Sequence, residues 1–316
     1  MYAIQSKAQQ PRLQAGDLPV LFWCFTESNF PTFVLPNTMF GVLAGLAGDV
    51  LTTRTSPPSL QVMLLVRLPF ILFNWVTVFI FDLANQRLPE SVQEDKINKP
   101  WRPIPTGRIT GDQTRQLLLA AIPLTLALNC WLGVGQESCL ILLITWLYND
   151  LRGGDGLMRD GFIAIAYGLF NRASLCIALG GYALAPQGYM WIALISGVIW
   201  TTMQIQDLKD QQGDRSRGRL SMPLWLGDTV SRWLISLFTL AWSLVCVEFW
   251  ELPLWGLFAP LGMAVCVGLQ LVLQQSAAAD ALAWRLWCLW LVTLYLLPLC
   301  ASWSGQSSRW MNVGCD

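Results

Sequence analysis

Apolar runs long enough to cross a bilayer alternate with short polar connections along most of the chain. They fall near residues 30–49, 62–86, 116–134, 136–150, 160–184, 188–206, 230–249, 254–274 and 284–303. A spanning helix needs about 20 predominantly apolar residues. Most of these runs meet that length; the fourth is short and is separated from the third only by Gly135 and its neighbours. The pattern predicts an all-α, polytopic membrane protein with about nine transmembrane helices. It divides the chain into a polar N-terminal segment (1–29), a membrane domain (30–303) and a polar C-terminal tail (304–316). The first 17 residues have no apolar centre, so they do not read as a secretory signal, and the first membrane helix is expected to act as an uncleaved insertion signal.

Two polar loops break the rhythm, one over 87–114 and one over 207–228. Four apolar runs lie between them, an even number, so both emerge on the same face. With nine spans, that face collects all of the 20 lysines and arginines except Arg54, Arg67 and Arg309 on the other side and Arg172 inside a span. Cytoplasmic connections carry such an excess of cations. Both loops are therefore expected in the cytosol.

Composition sharpens this picture. Hydrophobic residues make up 54% of the chain and charged residues 13%, where a soluble domain carries about 25% charged. The formal net charge is zero, which argues against nucleic acid as a partner. No obligate protein partner is evident. There is no histidine, so histidine acid–base catalysis, Ser-His-Asp triads and His-ligated zinc are excluded. The nine cysteines include no CxxC pair and read as small buried hydrophobes.

Chemistry is left to carboxylates, bound metal, tyrosine, lysine and arginine, or cysteine. The second loop contains Asp207, Asp210 and Asp214 in the pattern D-x-x-D-x-x-x-D. At helical spacing these share one face. Three like charges persist together when a cation neutralises them, and carboxylate oxygens suit Mg²⁺, which bridges protein carboxylates to phosphates. Lys209, Arg215, Arg217 and Arg219 are placed to take the phosphate oxygens that the metal leaves free. The first loop repeats the scheme. Asn85, Glu90, Glu94 and Asp95 form a second acidic cluster, and Lys99, Arg102 and Arg108 follow in a proline-stiffened segment suited to clamping a diphosphate. Pro89 is expected to end or bend the preceding helix.

The run Asp95-Lys-Ile-Asn-Lys-Pro-Trp-Arg-Pro-Ile-Pro-Thr-Gly strongly resembles the D-K-x-N-K-P-x-R-P-I-P-S/T-G signature of the UbiA superfamily of membrane prenyltransferases. The run Gln206-Asp207-Leu-Lys-Asp210-Gln-Gln-Gly-Asp214-Arg215 resembles that family's second aspartate motif. The resemblance implies a helical bundle around a lipid-accessible cavity. It also implies Mg²⁺ bound to a prenyl diphosphate and ionisation to an allylic carbocation. Asp95, Asp207 and Asp210 are then the residues expected to be essential.

The first motif departs from the usual N-D-x-x-D-x-x-x-D. Ser91 stands four residues before Asp95, the acids are Glu90 and Glu94, and Asn85-Gln86 lies two residues early. This form, with Tyr148-Asn149-Asp150 at the end of the fourth run, looks like the fungal branch that includes membrane terpene cyclases. By this resemblance Glu94 and Asp95 are favoured as metal ligands, with Asn85 as a neutral one, and Tyr148 and Arg152 reach the diphosphate. Asp150, Asp155 and Asp160 form a candidate third acidic cluster. Phe81, Trp146, Tyr167, Phe170 and Trp200 are candidate carbocation-facing rings. Asn37 and Asn171, inside spans, are expected to bond neighbouring helices.

The leading expectation is a Mg²⁺-dependent cyclase of geranylgeranyl or farnesyl diphosphate that forms a terpene hydrocarbon, with the endoplasmic reticulum as its membrane by family likeness. The alternative is a prenyltransferase using an aromatic or other acceptor. A transporter would gather polar residues near the bilayer midplane, whereas here they stand at helix ends.

Overall fold

Among the described residues the apolar runs are helical, the second as two helices, and their boundaries follow local chemistry. The structure, a computed structural model, describes residues 14–53, 58–68, 71–181 and 183–304. Helix α1 (Leu18–Thr26) precedes α2 (Phe30–Leu46), whose first turn, Phe30–Val34, is π-helical. Then come α3 (Leu60–Arg67), α4 (Ile71–Gln86), α5 (Pro89–Asn98), α6 (Gly111–Trp131) and α7 (Gly135–Asn149). The second part comprises α8 (Arg159–Leu179), α9 (Pro186–Thr202, continued by a 3₁₀ turn over Met203–Asp207), α10 (Gln211–Arg217), α11 (Met222–Leu226), α12 (Asp228–Phe249), α13 (Phe258–Leu273), α14 (Ala277–Tyr295) and α15 (Leu297–Trp303). No strand occurs among the described residues; a lone antiparallel bridge pairs Thr52 with Leu184.

Among the described residues, five helical segments are long and apolar enough to cross a membrane: Arg159–Leu179, Pro186–Asp207, Asp228–Phe249, Leu254–Leu273 and Ala277–Trp303. The bent pair Leu60–Arg67 and Leu72–Gln86 makes a sixth if taken as one span. The π-turn leaves α2 at 17 residues and α7 has 15, both under the length of a straight crossing.

The helices form a ring. From α2 it passes through α4, α6, α7, α8, α9, α12, α13 and α14 and returns to α2, with α2 and α8 also in extensive contact. Helix ends are set by capping. The Thr110 hydroxyl accepts from the Gln113 amide at 3.1 Å while the Gln113 side chain accepts from the Thr110 amide at 3.0 Å, a capping box that starts α6. Pro186 occupies the first turn of α9, where its missing N–H costs nothing. Gly180, at φ +72°, ends α8 in the left-handed conformation that glycine reaches without strain.

Both polar loops contain helices. Pro89 begins α5 after α4 has ended at Gln86, so it opens a helix as well as closing one. The described part of the N-terminal segment, from residue 14, is also structured. α1 packs on α4 and buries Leu21 and Phe25, so the packed unit reaches N-terminal of residue 30. The cysteines are mixed: Cys246 and Cys288 are buried, while Cys130 and Cys266 face outward.

Candidate active site

A cavity of about 390 Å³ lies inside the ring beneath the two polar loops, within the roughly 300–1,000 Å³ usual for small-molecule sites. Its mouth is polar, with Asn85, Glu94, Asn98, Lys99 and Arg102 on one side and Gln206, Asp207, Lys209, Asp210, Asp214 and Arg219 on the other. Its interior is apolar and aromatic, including Phe33, Val78, Phe81, Ile141, Phe162, Tyr167, Phe170 and Trp284.

The three aspartates of the second loop share this wall, but not one helical face. α9 tightens into its 3₁₀ turn at Asp207, and Asp210 sits in the N-cap position of α10, its amide donating to the Asp207 carbonyl at 3.1 Å. The bend, not a continuous helix, brings them together.

Each acid has a cationic partner. Arg159 Nη1 contacts both oxygens of Asp207, and its Nε donates to the Tyr148 hydroxyl at 3.0 Å. Asp210 Oδ2 lies 2.5 Å from Lys209 Nζ and 3.5 Å from Lys99 Nζ. Burial raises the Asp210 carboxyl, but these two ammonium groups outweigh it and hold it below the usual carboxylate range. Glu94 is likewise raised by burial and lowered further by Arg219, Lys99 and Arg217, for a net fall. Burial and the nearby Asp207 carboxylate push Asp214 up to about 6. Asp214 Oδ1 accepts from Arg219 at 3.2 Å, and its buried Oδ2 has no hydrogen-bond partner.

That orphaned oxygen, on a wall of hard carboxylate donors, fits a divalent cation in type. Among the described residues no three acids converge on one point. A metal would therefore engage these acids in exchange for some of their present cationic partners.

Not every residue singled out in the sequence reaches the cavity. Asn85, Glu94, Lys99, Arg102, Tyr148, Asp207, Lys209, Asp210 and Asp214 line it; Glu90, Asp95, Arg108, Arg152 and Arg215 do not. Asp95 is buried behind the wall, where its two oxygens accept from Arg102 Nη1 at 2.8 and 3.0 Å. Glu90 and Arg152 pair with each other at the surface. Arg108 is exposed and donates to Cys24 Sγ at 3.4 Å, and Arg215 is exposed on α10.

The acids of the 150–160 segment face different partners. Asp150 pairs with Arg87, Asp155 with Arg217 at 2.9 Å, and Asp160 lies 3.8 Å from Arg159. Of the five candidate rings, Phe81, Tyr167 and Phe170 line the cavity, while Trp146 and Trp200 are exposed on the outer surface. Asn37 turns back to its own helix and donates to the Phe33 carbonyl at 2.8 Å. Arg172, the cation inside a span, pairs with Glu137.

Sequence reasoning missed Arg159 and Phe33. Arg159 starts an apolar helix outside either motif. Phe33 sits in the π-helical turn of α2, 4.4 Å from the Tyr167 ring and 4.9 Å from Phe170 between centroids.

A ring of membrane-type helices, with a polar, cation-rich mouth over an aromatic interior, defines a class of membrane enzyme acting on a molecule that is ionic at one end and hydrocarbon at the other. The chain matches the UbiA prenyltransferase family over residues 38–292 and belongs to it. It is 32% identical to the diterpene cyclase eriG of Hericium erinaceus over 75% of this chain and 72% of that one. It is 30% identical to the somaliensene A/B synthase of Streptomyces somaliensis, over 89% and 91%. The fold is similar to that of a UbiA homolog from Archaeoglobus fulgidus solved with GPP and Mg²⁺, with a TM-score of 0.58, 13% identity, and 88% and 99% coverage. The protein is a membrane enzyme of the UbiA type, a terpene cyclase or a prenyltransferase.

Proposed function

We propose that the protein is a Mg²⁺-dependent terpene cyclase acting on geranylgeranyl or farnesyl diphosphate. The observation that carries this reading is the continuity of the cavity from the polar mouth to the Phe33–Tyr167–Phe170 interior. A prenyl tail fits the interior by hydrophobic transfer, and its diphosphate fits the mouth by charge. Lys99, Arg102, Arg159, Lys209 and Arg219 supply the donors. Tyr148, held on Arg159, orients that guanidinium. Nine crossings with the mouth at the cytosolic face agree with the distribution of cations.

Mg²⁺, held by Asp207, Asp210 and Asp214 with Glu94 and Asn85 opposite, would neutralise charge on the diphosphate as it departs. The bond between the allylic carbon and the bridging oxygen breaks, and the electron pair leaves with the diphosphate. The allylic cation then lies among ring faces that stabilise it without reacting. A double bond of the same chain attacks it, and loss of a proton from the resulting cation gives a cyclic hydrocarbon. The apolar walls exclude the water that would quench the cation. In support, the eriG relative is itself a diterpene cyclase.

The test is incubation of membranes carrying the protein with Mg²⁺ and either diphosphate, with no acceptor, read by gas chromatography–mass spectrometry. A cyclic hydrocarbon, absent with EDTA, is expected. No hydrocarbon from either donor, with transfer appearing once an aromatic acceptor is added, would replace the cyclase reading with a prenyltransferase.

A further inference from the structure

The two halves of the mouth come from loops more than a hundred residues apart; Arg217 and Arg219 reach across from the second loop to Glu94 at 3.0 and 3.1 Å, and Asn98 joins the first loop to the backbone of the second. Asn98, the last residue of α5, donates from Nδ2 to the Asp210 carbonyl at 2.9 Å and accepts at Oδ1 from the Gly213 amide at 3.1 Å. One amide side chain thus engages a donor and an acceptor of a single backbone turn, as a neighbouring strand would.

The residues around it belong to the site. Glu94 and Lys99 lie on the Asn98 side, and Asp210 and Asp214 flank the turn on the other. α10 approaches so closely that a methyl group at Gly213 would lie 2.2 Å from Asn98 Nδ2. Gly213 is helical, and in a helix alanine is ordinarily favoured over glycine by about 1 kcal/mol. A methyl group there would push the Asn98 amide off the turn.

We propose that Asn98 is a positioning residue. Its clasp on the Asp210–Gly213 turn fixes the spacing between the acids of the first loop and those of the second, and so sets the affinity of the mouth for a metal–diphosphate pair. This rests on the prenyl diphosphate reading above. The physical reason is that a divalent ion is held by several oxygens at once. A turn free to shift disturbs all of them, while each acid keeps its own chemistry.

The test uses the purified full chain in detergent, with MgCl₂ titrated at fixed inorganic pyrophosphate and the melting temperature as readout. Wild type is expected to show a saturable rise. Asn98→Ala and Gly213→Ala should each raise the Mg²⁺ midpoint by about 10-fold or more, the size usual for loss of a residue supporting metal ligands. Because both changes break one clasp, the double variant should shift no further than Asn98→Ala alone. A merely structural role would lower the melting temperature without Mg²⁺ and leave the midpoint in place. If Asn98→Ala does not fold, Gly213→Ala, which retains the asparagine, decides.

A wild-type midpoint in either single variant, or a double shift equal to the product of the two, would overturn the clasp. Wild-type turnover of a prenyl diphosphate with unshifted midpoints in the variants removes the clasp alone. No turnover by wild type, with the shifts observed, removes the substrate reading and leaves the clasp standing. A wild type without a Mg²⁺ response overturns both.

Discussion

Arg102 stands on the cavity wall with Asp95 directly behind it, the carboxylate receiving Nη1 at 2.8 and 3.0 Å, and both side chains are buried. Removing one partner of a buried ion pair leaves an uncompensated charge and costs about 3–5 kcal/mol. Asp95→Ala should therefore lower the melting temperature markedly and reduce activity through misplacement of Arg102. Adding Arg102→Met should restore much of the stability but none of the activity. A wild-type melting temperature in Asp95→Ala would contradict the arrangement.

This pair also shows how far sequence carries the reading. The motif around Asp95 located the site, because acid and base spacing survives in a one-dimensional pattern. Which carboxylate faces the cavity is a matter of burial. Glu94 and Asp95 are adjacent in the chain, yet one lines the wall and the other supports it from behind. Arg159 could not be read because a single cation opening an apolar helix has no pattern of its own. Phe33 could not be read because hydrophobic runs give no sign of which ring faces a cavity and which faces lipid. The membrane-type helices were legible from length and hydropathy and their bundling around a cavity from the motif resemblance, whereas the 3₁₀ turn that gathers Asp207, Asp210 and Asp214 was not.

Asp210 is the cleanest probe of the acidic wall. Its partners, Lys99 and Lys209, keep some exposure, so losing this carboxylate costs less than breaking the fully buried pair of Asp207 with Arg159. Asp210→Ala should keep a near-wild-type melting temperature and membrane insertion while turnover falls by about 10²–10³-fold, the usual cost of removing one electrostatic group from a catalytic site. Full activity in this variant would remove Asp210 from the machinery. Asp207→Ala should lose activity as well, with added instability from the unpaired Arg159.

Phe170 separates the cavity from the apolar cluster containing Phe73, its ring centroid 5.8 Å from that of Phe73 and 4.9 Å from that of Phe33. Phe170→Ala should deepen the interior and shift either the preferred prenyl length or the ratio of products, at a stability cost of about 3–5 kcal/mol. Trp146→Ala and Trp200→Ala, changes on the exposed outer surface, should leave the product ratio unchanged. The check is product analysis with donors of different chain length. An unaltered profile in Phe170→Ala would mean that the ring does not bound the substrate.

Gly154 lies against the Tyr148 ring so closely that a methyl group there would come within 2.5 Å of it. Gly154→Ala should displace Tyr148 from Arg159 and weaken diphosphate binding, which would appear as a raised KM. An unchanged KM would show that Tyr148 is dispensable for holding Arg159.

Ionisation at the polar mouth and cyclisation in the aromatic interior are proposed to occur on one molecule in one cavity. The most direct measurement follows pyrophosphate release and cyclic hydrocarbon formation together, from a single prenyl diphosphate, with no acceptor and with Mg²⁺ present or chelated. The expected result is equal amounts of the two, both abolished by chelation. Pyrophosphate released without matching hydrocarbon, or neither product formed with Mg²⁺ present, would contradict it.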